Sequence, residues 1–252
     1  MDIDNLVSVI TPNYNCARFI GQTIESVLSQ TYRNWEMLIV DDCSTDNSVE
    51  IIEKYIKQDE RIKLFSTDKK TGSPVEPRNI GIKNAQGRYI AFLDSDDIWL
   101  PKKLENQIKQ FNDDKVVIVF SYYEKISEKG VRKNRIITSP SSITYNNLLK
   151  GDCIGSLTAI YDTGKVGKYY LKHIGAEDYA YWLSILKSNY IARNTNTVEA
   201  LYRIRNNSLS TNKIISAKWT WDIYRKELKL NIIKCVYYYI FYLIKAIIKT
   251  LK

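Results

Sequence analysis

Histidine is almost absent from this chain, with His173 the only one. The four cysteines, Cys16, Cys43, Cys153 and Cys235, are far apart and form no CxxC pair. This scarcity excludes a zinc centre and a disulfide framework, and the thiols read as reduced ones in a cytosolic protein. Long apolar runs are missing as well. The uninterrupted apolar stretch from Cys235 to Ile244 covers ten residues, whereas a helix needs about 20 to span a bilayer. The start, Met1-Asp2-Ile3-Asp4, is acidic and leads straight into a strand. It does not read as a signal peptide, so the expected location is the cytoplasm. There is no internal repeat and no low-complexity segment.

What the 252 residues do contain is enough apolar material, 44%, for one large α/β domain or two small ones. The net charge of +9 is unevenly spread. Residues 216–252 hold seven Lys and one Arg against one Asp and one Glu. Such a tail suits nucleic acid or anionic lipid, and the apolar residues around the lysines favour lipid.

Leu6 to Ile10 reads as a strand ended by the turn-forming cluster Thr11-Pro12-Asn13-Tyr14-Asn15. Phe19, Ile20, Ile24, Val27 and Leu28 recur at helical spacing. Strands are expected at Trp35 to Val40, Arg61 to Phe65 and Arg88 to Leu93, with helices between them around Val49 to Ile56 and Asn79 to Ala85. Residues 67–77 read as a loop. Strands alternating with helices predict a mostly parallel sheet covered on both faces. Beyond Pro101 the expectations are a helix over Lys102 to Phe111 and a strand over Val116 to Tyr123. Residues 124–147 read as irregular. A strand at Ser156 to Tyr161, a helix at Asp178 to Leu186 and a short strand around Ala200 to Ile204 follow.

Acidic residues gather where strands end, and ligands of such sheets bind there. Asp94, Asp96 and Asp97 fall within four residues after an apolar strand. Close carboxylates repel one another, and a divalent cation bridging to phosphates relieves that. A solvated turn with capping aspartates is the competing reading. Asp41-Asp42 closes an earlier strand, where Asp42 could also serve as a helix cap. A response-regulator receiver domain also carries an acidic pair, but after its first strand rather than its second.

Taken together, VSVITPNYN (7–15), SVLSQTYRNWEMLIVDDCSTDNS (26–48), PRNIGIKNAQGRYIAFLDSDDIWLPKKL (77–104) and AEDYAYWLSIL (176–186) resemble family 2 glycosyltransferases of the GT-A fold. The likeness is strongest to bacterial enzymes that extend capsule, O-antigen or teichuronic-type polysaccharides. LLKGDCIGSLTAIYD (148–162) and AKWTWDIYRK (217–226) fit that subgroup. The resemblance implies a Rossmann-like nucleotide-binding half (1–101), an acceptor-binding half (102–215) and a basic amphipathic helical tail (216–252). It implies an inverting, metal-dependent hexosyltransferase that uses a UDP-sugar, Mn²⁺ or Mg²⁺, and a lipid-linked saccharide acceptor. Nucleic acid is not an expected partner.

The roles follow by position. Pro12 and Tyr14 line the base pocket, Asp42 accepts the uracil N3–H, and Arg78 contacts base or phosphate. Asp94 faces the ribose, while Asp96 and Asp97 face metal and diphosphate. Asp178 of the Glu177-Asp178 pair is the general base. Glu177 lies beside it on the acceptor side, and Trp182 either stacks on a sugar or packs in the core. Arg203, Arg205 and Ser208 lie near the diphosphate. In the tail, lysines 234, 245, 249 and 252 fall near one helical face. Apolar residues fill much of the rest, so 228–252 reads as an interfacial helix on the inner face of the cytoplasmic membrane. Packing of that helix on the protein is the competing reading. Two other classes compete: a nucleotidyltransferase, which lacks its Gly-rich basic loop here, and a non-catalytic sugar-nucleotide-binding or scaffold protein.

Overall fold

The computed structural model describes residues 3–205 and 213–251, and among them ten strands form one sheet. β1 (Val7–Asn13), β2 (Trp35–Asp41), β3 (Ile62–Ser66) and β4 (Tyr89–Phe92) make a parallel block in the order β3-β2-β1-β4. The helices α1 (Ile20–Leu28), α2 (Ser48–Ile56) and α3 (Val75–Asn84) connect these strands. The chain moves outward from β1 to β2 and β3, then returns to the other side of β1 as β4. Strand order reverses there, which opens a crevice beyond the carboxyl ends of β1 and β4.

Every residue of β1 and β2 is buried, with apolar side chains on both faces and the polar Ser8 and Glu36 bonded to each other, so neither strand shows the in–out alternation of a half-exposed one. Val7 and Val9 join the core on one face with Ile20, Ile24 and Val27, while Ile10 joins Val75 and Ile82 on the other. Glycine lets α3 come close: a Cβ at Gly81 would stand 2.4 Å from Cγ2 of Ile10. That approach sets Arg78, three residues earlier, at the sheet edge.

The second half contains β5 (Ile98–Trp99), α4 (Lys103–Ile108), β6 (Val116–Ile126), β7 (Arg132–Ile137), β8 (Ser142–Thr144) and α5 (Tyr145–Leu148). β9 (Ile160–Asp162), α6 (Thr163–Val166), α7 (Glu177–Ile185) and β10 (Ile191–Arg203) follow. The sheet continues as β4-β9-β6-β10-β5. β9 runs antiparallel to both neighbours, whereas β6 and β10 are parallel. α8 (Lys213–Asp222) and α9 (Ile232–Leu251) close the chain.

Several elements differ from the sequence expectation. β1 runs on through Thr11-Pro12-Asn13, because past Ile10 it pairs only with β2 and a proline is tolerated at such a free edge. Residues 124–147 hold the rest of β6, β7, β8 and most of α5 rather than irregular chain. Ser156–Thr158 is a 3₁₀ turn and only Ile160–Asp162 is strand. β10 is 13 residues long, but its register shifts between Asn194 and Val198, and this hid the alternation.

The tail does two things at once. Cys235 of α9 is buried, and Tyr238 and Tyr239 pack against the core. Ile233, Val236, Tyr237, Ile240 and Ile244 are exposed, Ile233 to 78%. Lys234 and Lys245 are exposed too, while the side chains of residues 249 and 252 lie outside the described set, as does Ser208. Among the described residues, no helix is long and apolar enough to cross a membrane.

Candidate active site

A cleft of about 740 Å³ lies beyond β1 and β4, lined by Pro12, Tyr14, Asp42, Lys70, Arg78, Asp94, Asp96, Glu177, Tyr202, Arg203 and Arg205, among others. It therefore gathers nine of the residues expected from sequence, six from the first half of the chain and Glu177, Arg203 and Arg205 from the second, whereas Asp97, Asp178 and Trp182 are not part of its lining.

At the end of β1, the Tyr14 hydroxyl meets the Lys70 ammonium at 2.6 Å, and that ammonium lies 4.3 Å from the ring centre. Asp42 is buried and its carboxylate is fully engaged. It accepts from the Thr67 hydroxyl at 2.9 Å, from the Thr71 amide at 2.9 Å, from the Thr71 hydroxyl at 3.0 Å and from the Gly72 amide at 3.1 Å. The 67–72 loop is thus folded over this carboxylate.

Arg78, 5% exposed, is the hinge of the site. Its Nη2 donates to Asp94 Oδ1 at 2.7 Å, and its Nη1 lies 3.7 Å from Glu177 Oε1. Burial opposes the charged form, but Asp94, Asp178 and Glu177 outweigh it and hold the guanidinium above the ordinary arginine value. A side chain on α3 thereby ties the turn after β4 to the first turn of α7, two segments more than 80 residues apart.

The acidic cluster divides. Asp94 and Asp96 face the cleft, and Asp96 Oδ2 accepts from Arg205 Nη1 at 3.1 Å. Burial and the neighbouring Asp94 raise the Asp96 pKa. Asp97 does not face the cleft. It is 1% exposed, its Oδ1 accepts the Arg203 amide at 2.8 Å, and burial raises its pKa well above the carboxylate range. Against the expectation that Asp97 faces a metal, it lies at the end of the turn between β4 and β5, where the backbone amide of Arg203 on β10 holds its carboxylate inward.

Arg203 also differs from expectation. Its Nε donates to the Asp96 carbonyl at 2.7 Å, its Nη1 to the Glu128 carbonyl at 2.9 Å and its Nη2 to Gln22 Oε1 at 2.8 Å. With all three nitrogens engaged by protein oxygens, it braces the acidic turn. Arg205 keeps a largely exposed side chain and is the better placed cation.

On α7, Glu177 lines the cleft, and burial followed by Asp178 raises its pKa. Asp178 is half-buried, and its Oδ2 accepts from the Ser156 hydroxyl at 3.1 Å. Trp182 is fully buried and packs edge-on against Phe92, with ring centres 6.0 Å apart. It belongs to the core and has no surface for a sugar, since the first of the two sequence readings placed it on a face that the sheet covers. His173 is exposed, 3.7 Å from Glu76.

Sequence reasoning missed Lys70, Tyr202 and Ser156. Lys70 sat in a segment read only as a polar loop. Tyr202, its pKa pushed up to about 12 by burial and then by Asp97, lay inside the strand expected around Ala200 to Ile204, but nothing in that stretch marked which of its side chains face the cleft. Ser156 was assigned to a strand.

Among the described residues, no three His, Cys, Asp or Glu side chains converge as a complete metal cage. Asp96, with Asp94 beside it, offers a pair of oxygens on the cleft wall. That donor set suits a hard divalent cation that takes its remaining ligands from phosphate and water.

The family model for Glycosyl transferase family 2 matches residues 8–166. TuaG of Bacillus subtilis (strain 168), a glycosyltransferase assigned to teichuronic acid biosynthesis, is 41% identical over 98% of this chain and 98% of its own. WfgD of Escherichia coli, a UDP-Glc:alpha-D-GlcNAc-diphosphoundecaprenol beta-1,3-glucosyltransferase, is 39% identical over 98% of this chain and 95% of its own. Among solved structures, S. aureus TarS 1-349 in complex with UDP-GlcNAc matches with a TM-score of 0.69 at 23% identity over 87% of this chain. The chain spans 64% of that structure, and the likeness is one of fold. The architecture expected from the sequence, a GT-A α/β fold, is the one observed.

Proposed function

The chain belongs to glycosyl transferase family 2, and from that premise we propose that it moves a hexose from a UDP-sugar to a lipid-diphosphate-linked saccharide with inversion, in assembling a bacterial surface polysaccharide. The observation that supports this reading is the Arg78 bridge, which joins Asp94 to Glu177 on the cleft wall, one residue before Asp178. The name of WfgD makes UDP-glucose the first donor to try and a diphosphate-linked N-acetylglucosamine the first acceptor.

In this reading Tyr14 and Pro12 hold the base, and the base N–H takes a place on Asp42 now held by the 67–72 loop. Asp94 orients the ribose. Asp96 holds Mn²⁺ or Mg²⁺, which when bound supplies Lewis-acid stabilisation of the leaving diphosphate. Arg205 adds a second positive group at the same charge. Asp178, aligned by Ser156, removes the proton of the acceptor hydroxyl as its oxygen attacks the anomeric carbon. One displacement turns an α-linked donor into a β-linked product, so a single base suffices.

The exposed apolar face of α9, edged by Lys234 and Lys245, suits the inner surface of the cytoplasmic membrane, where a lipid-borne acceptor resides. The test of the chemistry is Asp178→Asn. UDP binding, measured by calorimetry with Mn²⁺, should stay near wild type while turnover falls by about 100-fold or more. Turnover near wild type would remove Asp178 from the role of base.

A further inference from the structure

The chain enters α7 through a strained turn. Ala176 sits at φ 55, a left-handed conformation that an alanine adopts only under constraint. No side chain caps the helix there. The C-terminal segment packs on this turn. The indole of Trp219, on α8, lies over Gly175 so closely that a Cβ at that position would stand 2.1 Å from Cγ and 2.2 Å from Cδ1 and Cδ2. Only glycine accepts the ring.

A second contact lies one residue beyond Asp178. The Tyr179 hydroxyl is 3.2 Å from that of Tyr224, and the two bond to the carbonyls of Leu148 and Leu149 at 3.0 Å and 2.5 Å. α8 is fixed to α9 in turn. The rings of Trp221 and Tyr239 lie 5.1 Å apart, and the Tyr239 hydroxyl donates to the Ala217 carbonyl at 3.3 Å. The C-terminal segment thus grips the start of the helix that carries Asp178 on both sides of that residue.

We propose that this segment is a positioning element for Asp178, with Trp219 as the positioning residue: seated on Gly175, it fixes the turn that aims the carboxylate at the acceptor. It acts through the backbone and does not touch substrate. The inference deepens the proposed transfer reaction and rests on Asp178 being its base. It also gives the tail a task besides attachment to a surface, one that persists with a water-soluble acceptor.

The test uses the full chain with Gly175→Ala, Trp219→Ala, Trp219→Phe and the double variant Gly175→Ala/Trp219→Ala. Gly175→Ala and Trp219→Ala should each lower kcat by about 10- to 100-fold, the scale on which slight misplacement acts, with KM for the UDP-sugar within about twofold. Trp219→Phe should recover most of the turnover. The double variant should be no slower than the worse single variant, since both changes act on one contact. A loss in the double variant equal to the sum of the single losses would overturn the proposal, as would a parallel loss of UDP affinity. Hydrogen exchange of the 176–182 amides provides a readout that needs no catalysis. It should be faster in Trp219→Ala while exchange in β1 and β4 is unchanged. Should the wild type transfer no sugar, faster exchange at 176–182 upholds the grip and puts the failure in the transfer reading. Unchanged exchange overturns the grip itself.

Discussion

Asp96 and Asp97 are neighbours in sequence and face opposite ways. Asp96 meets the cleft and Arg205, whereas Asp97 is sealed against β10 with the Arg203 amide as its donor. The two substitutions should therefore fail differently. Asp96→Ala should weaken metal-dependent UDP binding and leave stability nearly intact. Asp97→Ala should cost about 1–3 kcal/mol in urea unfolding, because it strips the acceptor from a buried N–H. Equal effects on UDP binding would contradict this division of roles. Trp182→Ala should likewise cost about 3–5 kcal/mol of stability, as for a large core side chain, without changing acceptor affinity beyond that loss. At this scale the sequence shows which groups are clustered but not where each one points. Asp42, Asp94 and Asp96 were legible as cleft residues because strand ends converge in such sheets, whereas Arg78, on α3, was named only through the resemblance of 77–104 to the family. The inward turn of Asp97 and the burial of Trp182 depend on β10 and β4, which are distant in the chain.

Among the elements, α1, β2 and α2 were readable within a residue or two, since apolar spacing alone defines them. β10 was not, because Arg193 to Thr197 are polar and the bulge there breaks the period. β7 was not legible either, for its residues are mostly exposed on an edge. The tail helix was legible as apolar and basic, but not as a helix that both packs and exposes. Cys235, Tyr238 and Tyr239 hold it to the body, leaving the face with Ile233, Val236, Ile240 and Ile244 free. Replacing those four with Ser should release the full-length chain from vesicles of mixed anionic and zwitterionic lipid in a flotation assay, with turnover on a water-soluble acceptor retained. Continued flotation would place the membrane contact elsewhere.

Over the whole molecule, the buried Lys103 contributes a pH dependence of its own above neutrality. Lys103 has no exposed surface, its ammonium donates to Gln107 at 2.5 Å, and it lies 4.0 Å from the Trp99 ring centre. Burial pulls its pKa down to about 7, with Glu199 acting the other way. The unfolded chain keeps an ordinary lysine near about 10.4, so between those two values the unfolded state binds more protons than the folded one. Stability contributed through this group therefore rises with pH across that window. Relative to Lys103→Met, the wild type should gain stability between about pH 7 and about pH 9.5 in urea titrations, and a flat difference would contradict the burial of a titrating lysine. The same sheet that buries Lys103 carries β4 and β10 to the cleft, so the fold and the site rest on one framework. The most direct test of the transfer reaction is NMR of the product formed from UDP-glucose, Mn²⁺ and a synthetic N-acetylglucosamine-diphosphate lipid. The expected product is a β-linked glucose, with one UDP released for each sugar transferred. An α-linked product, or UDP-sugar binding with no transfer across a panel of lipid-diphosphate acceptors, would contradict it.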